Sequence, residues 1–178
     1  MTDNVRYLVL KALVNVSMDG RSTADILPRF QSLSAQDRGL ATELLFGTLH
    51  QYFSLRAIVR KLLSKPLKRR DDDLVLNLML GIYQLKETRV PDHAVIHETV
   101  ELCVTLDKAW AKGMTNAILR RVQRDDGLVD KAKLSDWDRY DLPKWLNIQI
   151  QSDWGDSAKQ WLESMHQRAP LTLRINHM

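Results

Sequence analysis

Leu74-Val75-Leu76-Asn77-Leu78-Met79-Leu80-Gly81-Ile82-Tyr83-Gln84-Leu85 is the stretch on which the reading of the fold turns. Asp71, Asp72 and Asp73 stand just before it, where a helix N-terminus favours negative charge. Leu74, Leu78, Ile82 and Leu85 recur at helical spacing and predict a helix whose buried face they line. Gly81 falls inside that helix, where glycine costs about 1 kcal/mol relative to alanine. Close approach of a neighbouring helix accounts for it, and the same holds for Gly47.

The pattern continues on both sides. Upstream, Val5, Leu8, Val9, Ala12, Leu13 and Val16 form one amphipathic stripe, closed by Gly20. Thr23 can cap a short helix through Ile26 and Leu27. Ser34 is a good N-cap for a helix with Asp37 in its first turn and Leu40, Leu44, Leu45 and Leu49 on its apolar face. Leu55, Ile58, Val59, Leu62 and Leu63 mark the next, which Pro66 ends. Downstream, Pro91 and Asp92 start a helix carrying Ala94, Val95, Val100 and Val104. Thr115 or Asn116 can cap the last, with Ile118, Leu119 and Val122. About seven helices with short connections result, and no convincing two-residue alternation occurs in the first 127 residues. The expectation is an all-α bundle.

Composition agrees. The chain has 178 residues, with 44% hydrophobic and 27% charged, which excludes wholesale disorder. Seven glycines and five prolines are too few for a sandwich of many tight turns. No apolar run approaches the roughly 18 residues of a membrane span, so no membrane role is expected. The first residues show no secretory signal pattern. One cysteine, Cys103, excludes an internal disulfide and a cysteine-based zinc site. A cytoplasmic location is the expectation.

The tail reads differently. Pro143 suits the first position of a helix with Trp145 and Ile148, Gly155 breaks it, and Ala158, Trp161, Leu162 and Met165 follow on another. Leu171-Thr172-Leu173-Arg174-Ile175-Asn176 then alternates apolar and polar and predicts a strand. A lone strand needs a neighbour for its backbone groups, so the expectation is a fragment that ends partway into a second domain. The tail's four tryptophans, Trp137, Trp145, Trp154 and Trp161, are expected to pack its helices onto the first domain.

Charge divides the chain at the same place. Residues 1–124 carry a net +6 and residues 125–163 a net −4, within a total of +4 and a pI of about 9.3. The swing falls at Asp125-Asp126-Gly127, which is read as the boundary between a domain of residues 1–127 and a segment of residues 128–178, with Gly127 as the helix stop. Two acid-free basic runs stand out. One holds Arg56, Arg60, Lys61, Lys65, Lys68, Arg69 and Arg70; the other holds Lys108, Lys112, Arg120, Arg121 and Arg124. Each phosphate neutralised by such a residue releases counterions and adds affinity, so the charge hints at a polyanionic partner. A solvated helix face explains a single run equally well, and two in one small domain less so. The RNA-binding candidates are Arg56, Arg60, Lys61, Lys65, Lys68, Arg69, Arg70, Arg120, Arg121 and Arg124, with Arg6, Lys11 and Arg38 behind them.

Catalytic signatures are missing. There is no G-x-G-x-x-G or Walker pattern for a phosphate or adenosyl group. His93 and His97 stand four apart without the glutamate of H-E-x-x-H, so no metal is expected. Cys103 lies mid-helix without an obvious base and reads as a core residue.

Four blocks carry a resemblance. Residues 37–49, Leu78-Met79-Leu80-Gly81-Ile82-Tyr83-Gln84-Leu85, residues 90–101 and Met114-Thr115-Asn116-Ala117-Ile118-Leu119-Arg120 resemble, in this order and spacing, the whole NusB-like RNA-binding domain. The glycines and asparagine in them are read as fold residues. Continuation through Leu142-Pro143-Lys144-Trp145-Leu146 and Ala169-Pro170-Leu171-Thr172-Leu173-Arg174-Ile175-Asn176 resembles the N-terminal half of bacterial 16S ribosomal RNA cytosine-5 methyltransferases of the RsmB/Sun family.

The resemblance implies an RNA-binding targeting module for 16S ribosomal RNA, whose other partner is a C-terminal catalytic domain absent from this chain. That domain would use S-adenosylmethionine. The family's two catalytic cysteines sit in Pro-Cys and Thr-Cys motifs, whereas Leu102 precedes the one cysteine here, so these residues alone should not methylate anything. The alternatives are a free-standing NusB-like transcription antitermination factor, which should stop soon after the Asn116 helix, and a helical adaptor that touches no RNA.

Overall fold

The structure, a computed structural model, describes residues 4–130, 133–165 and 171–174. Seven helices make up the first part: α1 (Val5–Ser17), α2 (Thr23–Ile26), α3 (Ala35–His50), α4 (Tyr52–Leu62), α5 (Asp72–Glu87), α6 (Asp92–Thr105) and α7 (Lys112–Arg124). Three follow: α8 (Asp136–Arg139), α9 (Lys144–Trp154) and α10 (Ala158–Ser164).

α5 is the axis of the bundle. Helices α1, α3, α4, α6 and α7 pack round it, and every residue from Leu74 to Gln84 is buried. The single apolar stripe expected from Leu74, Leu78, Ile82 and Leu85 is therefore too narrow. A helix apolar on all sides belongs in the middle, where five neighbours cover it. Each of its two buried amides is tied to a neighbouring helix, though Asn77 Oδ1 has no partner among the described residues. Asn77 Nδ2 donates to the Thr99 carbonyl at 2.9 Å, and Gln84 Oε1 accepts from Arg6 Nε at 2.8 Å. Burial lowers the Arg6 pKa, against the charge of Glu98, which raises it. Arg6 is thus a tie between α1 and α5.

Gly47 and Gly81 mark close approaches, as their sequence positions suggested. A Cβ on Gly47 would lie 2.0 Å from Tyr83 Oη; one on Gly81 would lie 3.0 Å from Leu119 Cδ2. Caps follow the sequence in part. Ser34 Oγ accepts from the Asp37 amide at 3.1 Å. Ser22, not Thr23, caps α2. α7 starts at Lys112, ahead of the expected caps, because the 3-10 turn Ala109–Ala111 leads straight into it. Thr115 is buried inside that helix, with its hydroxyl 3.4 Å from Cys103 Sγ.

Cys103 is a core residue. Burial raises its pKa, while bonds to Thr115 and Asn77 pull the other way. The folded thiol therefore holds its proton more tightly than the unfolded one. Its contribution to stability is whole below the ordinary value of 9.0 and falls as pH rises past it. Labelling with a disulfide reagent at neutral pH is expected to be slow in the native chain and fast in denaturant. Rapid native labelling would refute this burial.

The tail returns to the bundle before leaving it. Lys86 bonds the Val122 carbonyl at 3.3 Å and pairs with Asp126, whose carboxyl it holds below its usual range. Val129 and Leu134 pack into the main core. Asp141 Oδ1 accepts from the Ser54 amide at 2.8 Å, so a distant carboxylate caps the first turn of α4. α9 and α10 then form a hairpin around their own small core of Tyr140, Leu142, Ile150, Ala158 and Leu162. Gly155 turns the chain between them with φ +50°.

One expectation for the tail fails. The tryptophans do not join the main core. Trp154 stacks on Trp161 at 5.8 Å, and Trp145 is 69% exposed. The strand expected over residues 171–176 lies partly outside the described residues. Residues 171–174 have no regular structure, and residues 175 and 176 lie outside the described ones. No described residue is in a strand, so nothing there supplies the ladder partners a strand requires. No helix among the described residues is long and apolar enough to cross a membrane.

Candidate nucleic-acid interface

The first basic run wraps the junction of α4 and α5. α4 ends with Arg60 and Lys61 exposed, and the chain passes Pro66 into a 3-10 turn, Arg69–Asp71, that opens α5. Lys65, Lys68, Arg69 and Arg70 are exposed along the way, and no exposed acid lies among them.

One lysine from the other run fixes this turn. Lys108 Nζ, its side chain only 15% exposed, donates to the Arg70 carbonyl at 2.9 Å. It also pairs with Asp71 at 3.2 Å and Asp73 at 2.5 Å. The aspartates at the start of α5 thus do more than complement a helix dipole. They tie the basic turn to the connection between α6 and α7.

The candidates divide by their surroundings. Arg56 is half-buried: it pairs with Asp72 at 3.3 Å and donates to Tyr52 Oη at 3.1 Å, clamping α4 to α5. Lys61 donates to the Lys133 carbonyl at 2.6 Å. Arg70 lies 3.8 Å from Asp71 and stays 78% exposed. Arg120, Arg121 and Arg124 are exposed at the end of α7, where Arg120 bonds Gln123 and Arg124 bonds the Arg120 carbonyl. α4 and α7 both pack on α5 but not extensively on each other, so the runs form two patches. Lys112 is absorbed by Glu101 at 2.7 Å, and this bond lowers the Glu101 pKa.

The secondary candidates also separate. Arg6 is the tie described above. Arg38 bonds the carbonyls of Gln31 and Leu33 at 3.1 and 3.2 Å and closes a loop. Lys11 is exposed over the Tyr7 ring and lines a groove with Arg21 and Arg29. Asp73 borders this groove, which therefore opens beside the Lys108 cluster. Arg21 and Arg29 are isolated cations in the sequence. No linear signal marks them, because folding alone brings them beside α1.

Among the described residues no group of three or more metal-ligand side chains occurs. What the arrangement offers is fixed positive charge around the start of α5, without a nucleophile or a paired acid and base.

Residues 3–124 match the NusB family. This chain belongs to the NusB family. Residues 142–178 match a second model, the Methyltr_RsmF/B-like, ferredoxin-like domain. The NusB-family part is the all-α bundle around α5. Nearly the whole chain is similar to proteins named ribosomal RNA small subunit methyltransferase B. That of Proteus mirabilis is 36% identical over 177 residues, covering 98% of this chain and 42% of the relative. That of Serratia proteamaculans is 37% identical over 177 residues, covering 98% and 41%. That of Escherichia coli O1:K1 is 35% identical over 175 residues, covering 97% and 41%. The chain spans about two fifths of the length of these curated relatives.

Proposed function

We propose that this chain is the RNA-binding targeting part of a 16S ribosomal RNA (cytosine-5) methyltransferase. One observation carries the reading: a NusB-family bundle runs directly into a Methyltr_RsmF/B-like, ferredoxin-like match, in a chain similar throughout to small-subunit ribosomal RNA methyltransferases. The chain works as two units, residues 1–127 and 128–178, with contacts from Lys133 and Asp141 to α4 joining them. Its partners are 16S ribosomal RNA and a catalytic domain outside these residues, and its compartment is the cytoplasm.

S-adenosylmethionine serves the full-length protein. The residues of this chain are not assigned to that group. No chemical step is assigned to them.

The RNA contacts are Arg60, Lys61, Lys65, Lys68, Arg69 and Arg70 in one patch, and Arg120, Arg121 and Arg124 in the other. Arg56 contributes while bridged to Asp72. Such contacts position RNA through phosphates and carry little base information. Binding of this chain to a small-subunit ribosomal RNA fragment is measured across a salt series. Replacing Lys68, Arg69 and Arg70 together by Gln is expected to reduce the salt slope by about three and to weaken all RNAs alike. An unchanged slope removes this turn from the interface. Absence of binding at low salt sinks the RNA-binding role of the isolated chain.

A further inference from the structure

We infer that the groove between the end of α4 and the start of α5 receives one unpaired nucleotide of the bound RNA. The inference rests on the RNA-binding reading and adds what that site selects.

The groove encloses about 290 Å³ and is lined by Leu63, Pro66, Leu67 and Val75, by Arg56 and Arg60, and by Asp72. Its size lies near the lower limit for small-ligand pockets, roughly 300 Å³. Two features separate it from the rest of the basic surface. Four apolar side chains line it, which a phosphate does not need and a flat base does. One guanidinium is also fixed in advance, because Arg56 is held by Asp72 Oδ2 and Tyr52 Oη. Unpaired bases stack on guanidinium planes and apolar surfaces and are read along their edges. Asp72 Oδ1 has no partner among the described residues and can accept from an amino group on such an edge. Exposed Lys65, Lys68 and Arg69 follow along the same connection, placed to meet the flanking phosphates. A fully paired helix keeps its bases stacked inside and can offer the groove none.

The test uses the whole 178-residue chain and two RNA hairpins of equal length. One is fully paired; the other carries a single bulged 2-aminopurine. At equal salt the bulged RNA should bind tighter by about tenfold, the worth of one stacked base, and its emission should change on binding. Arg60, exposed at the end of α4, supplies the groove's free guanidinium plane; Arg60→Lys keeps the charge and removes that plane. It should abolish most of that preference and weaken the paired hairpin far less, with an unchanged thermal midpoint as the folding control. Equal binding of the two hairpins, with a normal salt slope, overturns the groove assignment and leaves the RNA-binding reading standing. If neither hairpin binds, the RNA reading fails and the groove falls with it. Self-association in light scattering that Arg60→Lys weakens would assign the groove to a second copy instead and overturn the inference.

Discussion

Lys108→Met should destabilise the chain by about 3 kcal/mol, because it leaves two carboxylates without their cation in a largely dry site. The side chains of Asp71 and Asp73 are 11% and 22% exposed, and Lys108 is their shared partner. Removing one member of such a cluster leaves like charges facing each other, which costs far more than an exposed pair contributes, about 0–1 kcal/mol. The small remaining exposure keeps the estimate at the low end of the range for buried pairs. The check is denaturant unfolding of the single variant and of Lys108→Met combined with Asp71→Asn and Asp73→Asn. The triple variant should recover most of the loss, since no charge is then stranded. RNA affinity should fall in the single variant as well. Lys108 is too enclosed to grip phosphate, but its bond to the Arg70 carbonyl holds the turn that carries Lys68, Arg69 and Arg70. An unfolding midpoint equal to the parent's would show that the cluster holds nothing.

Gly47→Ala should cost a net of about 2 kcal/mol. The new methyl would sit 2.0 Å from Tyr83 Oη and 2.1 Å from Cζ. Tyr83 cannot readily move aside: it is 5% exposed, and its hydroxyl donates to Glu43 at 2.7 Å. Burial first, and the Glu43 carboxylate second, hold that hydroxyl well above the usual tyrosine range, so it stays a donor throughout the working pH range. Overpacking of this kind costs about 3 kcal/mol, and replacing glycine by alanine inside a helix returns about 1 kcal/mol. Gly81→Ala meets Leu119 and Thr99 only at 3.0 Å and should be close to neutral for the same two reasons. Thermal unfolding of both variants, with Gly47→Ala/Tyr83→Leu as the relief of the clash, measures the difference. Equal midpoints for Gly47→Ala and Gly81→Ala would refute the contact as the cause.

Much of the bundle could be read before any coordinates. The stripes of α1, α3, α4 and α7, the Ser34 cap, the glycines at close approaches and the core role of Cys103 rest on interactions within a turn or two, or on residue size; the stripe expected for α6 is misplaced, since Val104 is 47% exposed while Ile96, Thr99, Leu102 and Cys103 join Val95 on the buried face. The narrow face expected for α5 fails because periodicity shows which positions prefer burial, not how many neighbours a helix will have. The strand expected after Pro170 has no ladder partner among the described residues, because strands depend on partners far away along the chain.

The interface was legible to a lesser degree. Two basic runs are plain in the sequence, and the exposed members of the first remain exposed in the fold. Which cations are consumed was not legible: Arg56 goes to Asp72, Lys108 to Asp71 and Asp73, and Lys112 to Glu101. Nor was the recruitment of Arg21 and Arg29 beside Lys11. The sequence by itself determined an all-α bundle and a surplus of positive charge, because helix periodicity and net charge are properties of the linear chain. Only the tertiary structure decided where that charge stays exposed and unpaired with acids. Lys108 and Asp73 are 35 residues apart, and whether they neutralise each other depends on a separation that only packing around α5 sets.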